Sequence, residues 1–106
     1  MLFQVNTQML DACVLSVLKA HDTYGYELTQ TLKDNLELSE STLYPVLRRL
    51  TKDSYLTTYD KPVSGRNRRY YAITEKGTLQ LSYYRAGWTE FENKLGSLIM
   101  GGEQNE

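Results

Sequence analysis

The chain has 106 residues, a net charge of −1 and ordinary shares of hydrophobic (41%) and charged (24%) residues, which predicts one small globular domain. Its single cysteine, Cys13, excludes an intramolecular disulfide and fits a reducing compartment. The first residues lack the basic and apolar regions of a secretion signal, and no apolar run approaches the roughly 20 residues of a membrane span. We therefore expect a cytoplasmic protein that does not act in a membrane.

Three amphipathic segments in the first half of the chain predict three helices. The first covers residues 6–20, and the second runs from about Tyr24 to Asn35, after a cap at Asp22 or Thr23. The third begins after Ser39, a residue type favoured at helix starts. Its apolar residues are spaced as one buried face, so we expect the helix to continue through Pro45. That face consists of Leu43, Val46, Leu47 and Leu50.

A hairpin and a long helix are predicted for the second half of the chain. Residues 55–59 and 69–73 are rich in aromatic and β-branched residues, and the turn-forming residues 61–67 separate them. A lone hairpin is barely stable in water, so this one must pack against the helices. Thr74 then caps a helix predicted over residues 75–99.

Positive charge is concentrated in one part of the chain. Residues 48–69 carry seven basic and two acidic residues, a net charge of +5, whereas the remainder carries −6. Local field matters more than total charge for binding phosphate. Three helices followed by a basic hairpin are typical of a winged helix-turn-helix, whose third helix enters the major groove while the hairpin, or wing, contacts the backbone or the minor groove.

The third helix and the wing both carry residue types that bind double-stranded DNA. Arginine can pair with guanine, and hydroxyls and lysine can anchor phosphates. The alternative function is a protein-interaction module that uses the winged fold without DNA, and the basic wing argues against it. The predicted contacts are Ser41, Tyr44, Arg48, Arg49 and Lys52 in the helix and Lys61, Ser64, Arg66, Arg68 and Arg69 in the wing.

Three blocks of sequence resemble the PadR family of transcriptional regulators. Residues 41–50 (STLYPVLRRL) resemble the family's recognition helix, residues 24–28 (YGYEL) the helix before it, and residues 69–77 (RYYAITEKG) the segment after the wing. The resemblance implies a DNA-binding repressor in which Thr42 and Tyr44 face DNA. The family often has an acidic residue and a glycine after the third helix, where this chain has TKDS at residues 51–54.

The last predicted helix carries a heptad seam of six large apolar residues spaced by 3, 4, 3, 4 and 3 positions. Such a stripe could cover the chain's own core, but three small helices and a hairpin leave little core for it. We therefore predict that the seam pairs with a second copy, forming a homodimer. The resemblance likewise implies the short subfamily, which dimerises through this helix. The seam consists of Leu81, Tyr84, Trp88, Phe91, Leu95 and Leu98.

These predictions combine into one architecture. The expected fold class is mainly α (α+β), a winged helix-turn-helix with a two-stranded wing and a long C-terminal dimerisation helix. Residues 1–74 are predicted to form the DNA-binding domain, residues 75–100 the dimerisation helix and residues 101–106 a flexible tail.

Trp88, the one tryptophan, lies at the middle of the seam and predicts either an interface anchor or a ligand site. Glu92 lies four residues later on the same helix face. A carboxylate beside indole rings suits a flat aromatic or cationic small molecule as inducer. Some short PadR proteins are multidrug sensors, so the resemblance also implies control of a transporter or detoxification operon.

A third class of function, an enzyme, is not supported by the residue patterns of the chain. The sequence contains no paired-carboxylate motif, no metal-ligand cluster and no glycine-rich phosphate loop, and its one histidine, His21, lies in a predicted turn. We therefore expect no catalytic residues, no metal and no cofactor.

Overall fold

The computed structural model describes residues 1–101, so the predicted tail lies outside the described residues except for Gly101. Four α-helices and three β-strands are present in the described part of the chain, in the order expected for a winged helix-turn-helix. They are α1 (Thr7–Ala20), β1 (Thr23–Tyr24), α2 (Gly25–Leu36), α3 (Glu40–Lys52), β2 (Leu56–Val63), β3 (Arg66–Ile73) and α4 (Glu75–Ile99). The mainly α fold class and the long last helix are confirmed.

One hydrophobic core lies between the three short helices, the sheet and the start of α4. The four apolar residues predicted for the inner face of α3 are all buried, and Pro45 lies inside the helix without ending it. Full burial of an aliphatic side chain of this size contributes about 1.5–3 kcal/mol. The core consists of Leu10, Val14, Leu15, Leu18, Leu28, Leu32, Leu43, Val46, Leu47, Leu50, Leu56 and Leu81.

The hairpin is longer and its loop tighter than predicted. β2 and β3 pair without interruption from Leu56 and Ile73 to Val63 and Arg66, so most of the turn predicted over residues 61–67 lies within the strands. The loop is only Ser64 and Gly65, with φ of 52° and 78°. Two successive positive φ values define the type I′ turn, whose twist matches that of the strands it joins.

A third strand, which the sequence analysis did not predict, attaches the hairpin to the helices. β1 has only two residues, and they pair antiparallel with Tyr70 and Tyr71 of β3, which gives the sheet order β1-β3-β2. Two residues are too few to show an alternating pattern, so no sequence signal marked this strand. The wing is therefore joined to the segment between α1 and α2 by backbone hydrogen bonds.

The start of α2 also differs from the prediction. Its N-cap residue is Tyr24, whose side chain makes no capping hydrogen bond. The two predicted capping residues have other partners: the Thr23 hydroxyl donates to Glu27, and the Asp22 carboxylate accepts a hydrogen bond from Tyr59.

The turn after α3 keeps a geometry that favours glycine although the chain has serine there. Ser54 has a φ of 67° and its N–H donates to the Thr51 carbonyl, while the Tyr55 N–H donates to the Leu50 carbonyl at 2.9 Å. These two bonds define a Schellman motif, in which the residue after the C-cap is left-handed and is usually glycine. The chain therefore forms a turn that favours glycine with a serine at the left-handed position.

Candidate nucleic-acid interface

The outer side of α3 carries an exposed polar row opposite the buried leucines. Ser41, Pro45, Arg48 and Lys52 are spaced by 4, 3 and 4 positions and are all exposed. Residues at these spacings lie on one face of a helix, so they can reach a groove together. The row therefore contains one guanidinium, one ammonium and one hydroxyl, the groups that bind base edges and phosphates.

Hydroxyl groups cluster at the start of α3. The Ser39 Oγ lies 2.9 Å from the Ser41 Oγ and 3.1 Å from the Thr42 Oγ1. Ser39 is the N-cap residue, as predicted, but its side chain makes no hydrogen bond to a helix N–H. Backbone N–H groups at a helix start attract anions, so this end of α3 has the donors to receive a phosphate.

Tyr44 occupies the edge of the helix between the core and the exposed row. Its ring is half-buried and packs against the core. The Cε1 atom of Tyr44 lies 3.7 Å from where a Cβ on Gly25 would stand, and Tyr71 lies 3.6 Å from the same point. These are ordinary van der Waals distances, so the two tyrosine rings pack against the start of α2 without requiring glycine at position 25.

Arg49, one of the predicted DNA contacts, is paired with Asp11 within the fold. Its two terminal nitrogens donate to both carboxylate oxygens of Asp11 on α1, at 3.1 and 2.5 Å. The Asp11 side chain is 7% exposed and that of Arg49 is 41% exposed. The hydrogen bond to Asp11 raises the pKa of Arg49 above its ordinary value. Arg49 therefore holds the recognition helix to α1.

The signal for this ion pair was present in the sequence. Asp11 lies inside the apolar stripe of α1, next to Leu10 and three residues before Val14. A carboxylate at a buried position needs a cation or several hydrogen bonds, so Asp11 indicated that one basic residue elsewhere would be taken up by the fold.

Strand alternation separates the basic residues of the wing onto two faces. Arg69 lies on one face, where its Nε is 3.7 Å from the Asp60 carboxylate. Lys61, Arg66 and Arg68 have the opposite parity in the paired strands and share the other face. We call this second surface the outer face of the hairpin, because the first carries Tyr71 and Ile73 toward the core. Three of the four predicted wing cations thus share one surface.

The predicted heptad seam divides into two parts. Leu81 belongs to the core of the protomer and Tyr84 packs against it, so these two residues cover the chain's own core. Trp88, Phe91 and Leu95 are 41–48% exposed. Leu98, the last residue of the seam, is 80% exposed. The apolar surface that needs a cover is therefore shorter than predicted and lies in the second half of α4.

A groove of about 850 Å³ runs between α1 and α4 beside this surface. The rings of Trp88 and Phe91 lie 5.8 Å apart at its edge, whereas the predicted ligand-binding residue Glu92 is not among the residues that line it. Burial raises the pKa of the Cys13 thiol above its ordinary value, so the thiol stays protonated and unreactive near neutral pH. Residues that line the groove include Met9, Cys13, Ser16, Tyr84, Trp88 and Phe91.

Residues 1–101 present no candidate for a metal site or a membrane span. No group of three or more His, Cys, Asp or Glu side chains is placed there to hold a metal ion. No helix in the same part of the chain is long and apolar enough to cross a membrane.

A helix-turn-helix with an exposed polar recognition helix and a basic hairpin defines a winged-helix DNA-binding protein. Residues 14–83 match the model of the transcriptional regulator PadR-like family. The chain therefore belongs to the PadR-like family, confirming the resemblance found in its three sequence blocks. Members of this family are transcriptional regulators and not enzymes, which supports the expectation that this chain has no catalytic activity.

Similar proteins occur in several bacteria. Transcriptional regulator Rv3488 of Mycobacterium tuberculosis is 34% identical over 86 residues, which cover 80% of this chain and 77% of that protein. The crystal structure of smu.1704 from Streptococcus mutans UA159 has a TM-score of 0.89 and 34% identity, and the match covers 96% of each chain. The PadR-like transcriptional regulator BC4206 from Bacillus cereus has a TM-score of 0.81 and 33% identity, covering 87% of this chain and 92% of that one.

Proposed function

We propose that this regulator is a repressor that binds double-stranded operator DNA as a homodimer and releases it when an inducer binds. The proposed targets are the genes of a transporter or a detoxification pathway. Residues 1–74 would act as the DNA-binding domain and residues 75–100 as the dimerisation helix. One observation supports DNA binding above the others: α3 presents an exposed row with Arg48 and Lys52 on a chain whose positive charge is concentrated in α3 and the wing.

The proposed contacts divide by the chemistry they offer. Arg48 and Tyr44 are assigned to base edges, because a planar donor group and an aromatic ring can distinguish bases. Ser41, Thr42 and Lys52 are assigned to phosphates, as are the wing residues Lys61, Ser64, Arg66, Arg68 and Arg69. Arg69 should contribute least among the wing cations, because Asp60 lies beside it and partly neutralises its charge.

Removal of Arg48 and of Lys52 should have different effects on DNA binding. The operator is first selected from a random duplex library by binding to the protein. Arg48→Ala should then cost about 1–3 kcal/mol on the selected duplex and relax its sequence preference. Lys52→Ala should weaken selected and unrelated duplexes alike and lower the slope of log affinity against log salt by about one.

Lys94→Ala is the matched control for this experiment. Lys94 lies on α4 in an exposed ion pair with Glu90, so the variant loses the same charge outside the proposed interface and should bind DNA as the unmodified protein does. Unreduced operator affinity after alanine replaces Tyr44, Arg48 and Lys52 together would refute the assignment of α3. Binding of no duplex at any salt concentration would favour the protein-interaction module instead.

We further propose that the inducer binds at Trp88, in the groove between α1 and α4. The groove is largely apolar and two aromatic rings border it, which suits a flat molecule. Glu92 lies outside the groove lining, one helical turn beyond Trp88, where its carboxylate would attract a cationic ligand at longer range. An inducer bound in this groove would lie beside the α4 surface proposed to pair with the second copy, so it would change the separation of the two DNA-binding domains and lower operator affinity.

Titration with ethidium in the absence of DNA tests this site, because Trp88 is the one fluorescent tryptophan of the chain. Ethidium should quench the Trp88 emission, and Glu92→Gln should weaken the binding of ethidium more than that of an uncharged flat dye. In Trp88→Phe the fluorescence of the dye itself reports binding, which should be reduced. Equal dye affinity in Trp88→Phe, or no quenching in the unmodified protein, would exclude Trp88 as part of the site.

A further inference from the structure

Three tyrosines form a row across the outer face of the sheet. Tyr24 of β1 pairs with Tyr70 of β3, and Tyr70 pairs with Tyr59 of β2. The rings of Tyr24 and Tyr70 meet edge to face with centroids 5.5 Å apart, and those of Tyr59 and Tyr70 stack at 5.4 Å. We call this row, which joins all three strands, the tyrosine ladder.

Two cations of the wing lie on the tyrosine ladder. The guanidinium carbon of Arg68 is 4.7 Å from the centre of the Tyr24 ring, and the Lys61 Nζ is 5.2 Å from that of Tyr70. These distances are within the range of cation–π attraction. Lys61 and Arg68 face each other across the strands, where like charges repel. The rings thus hold in place two side chains that would otherwise move apart into solvent.

A hydrogen bond connects the tyrosine ladder to the helix-turn-helix. The Tyr59 hydroxyl donates to the Asp22 carboxylate at 2.7 Å, and this bond raises the pKa of Tyr59 above its ordinary value. Asp22 lies in the short segment between α1 and β1. The middle of the hairpin is therefore connected through Tyr59 to the residues that precede α2.

We propose that Tyr24, Tyr59 and Tyr70, with Asp22, are positioning residues that set the direction of Arg68 and Lys61 for DNA binding. The inference rests on the proposed DNA-binding function. A long basic side chain loses conformational freedom when it binds a phosphate, and one already held on a ring loses less. The Nε of Arg68 is buried and makes no hydrogen bond within the described residues, so packing on the Tyr24 ring, and not a hydrogen bond to Nε, positions this guanidinium.

Replacement of Arg68 by lysine distinguishes the effect of its positive charge on DNA affinity from the effect of its position on the Tyr24 ring. Arg68→Lys keeps the positive charge but loses the flat group that packs on Tyr24. We expect an affinity for the selected duplex about three- to fivefold lower with an unchanged salt slope. Arg68→Ala, by contrast, should lower the slope by about one because a phosphate contact is lost. Equal affinity of Arg68→Lys and the unmodified protein would overturn the proposal.

A double-mutant cycle tests whether Tyr24 acts through Arg68. Tyr24→Leu should lose affinity by a similar factor, Tyr24→Phe should restore it because the ring is kept, and Tyr24→Leu combined with Arg68→Lys should lose little more than either change alone. Full additivity of the two losses, at unchanged thermal stability, would overturn the coupling. Binding of no duplex by the unmodified protein would instead refute the DNA-binding function on which the inference rests.

The hydrogen bond between Tyr59 and Asp22 is tested by a separate pair of variants. Tyr59→Phe removes the hydroxyl but keeps the stacked ring, and should lower duplex affinity about two- to fivefold while hydrogen exchange at the backbone of β2 becomes faster. Tyr83→Phe removes a hydroxyl from an exposed tyrosine of α4, away from the ladder, and is the matched control. If the two variants have equal duplex affinity and equal hydrogen-exchange rates in β2, the hydrogen bond between Tyr59 and Asp22 has no role in positioning.

Discussion

Gly77→Ala is expected to destabilise the protein by about 3 kcal/mol, the upper end of the usual cost of overpacking. Gly77 is buried in the first turn of α4. A Cβ atom there would lie 2.7 Å from the Ile73 Cγ1 and closer still to the carbonyl oxygen of Tyr55. That oxygen belongs to the backbone and accepts hydrogen bonds from the Thr74 N–H and hydroxyl, each at 3.1 Å. It therefore cannot move aside without breaking the cap of α4.

Gly96→Ala on the same helix is the matched control. A Cβ added at Gly96 meets no atom within 4 Å, so this variant should gain up to about 1 kcal/mol from helix propensity. Urea unfolding followed by circular dichroism, at equal protein concentrations, compares the two. If Gly77→Ala unfolds at the same urea concentration as Gly96→Ala, the tight contact of α4 with Tyr55 and Ile73 does not limit the choice of residue at position 77.

The long elements were predictable because their signals are repeated. Four apolar residues at helical spacing defined the inner face of α3, and Thr74 marked the start of α4. The strand β1 was missed because two residues carry no periodicity, and the loop at Ser64 was placed too broadly because charged strand ends resemble a turn. Local sequence patterns therefore specified the helices well and the extent of the strands poorly.

The candidate site was less predictable because it depends on residues that are distant in sequence. Arg49 is the right residue type for DNA, and only its proximity to Asp11, 38 positions earlier, shows that it is already paired. The tyrosine ladder joins positions 24, 59 and 70 and becomes visible only when the strand register is known. Leu81 likewise fits the heptad spacing, but its contacts place it in the core of the protomer. Spacing alone cannot distinguish a core residue from an interface residue.

Replacement of both Phe91 and Leu95 by glutamate is expected to convert a dimer into a folded monomer. Trp88, Phe91, Leu95 and Leu98 of α4 are all exposed in the protomer, and none of them belongs to its core. Burial of such side chains stabilises by up to about 1.5–3 kcal/mol each, which a second copy would provide and two carboxylates would prevent. Because the core is untouched, the far-ultraviolet circular dichroism should not change.

Sedimentation velocity distinguishes the outcomes, with Leu79→Glu as the matched control. Leu79 is 59% exposed on the same helix but lies off the heptad positions, so this variant should sediment with the unmodified protein at twice the mass of one chain. The monomeric double variant should bind the selected duplex about 10²–10⁴-fold more weakly, because two linked recognition helices gain that much from binding together. A double variant that remains dimeric would place the interface outside the second half of α4. If the unmodified protein sediments as a monomer, the proposed homodimer is wrong, because no second copy then covers the exposed apolar residues of α4.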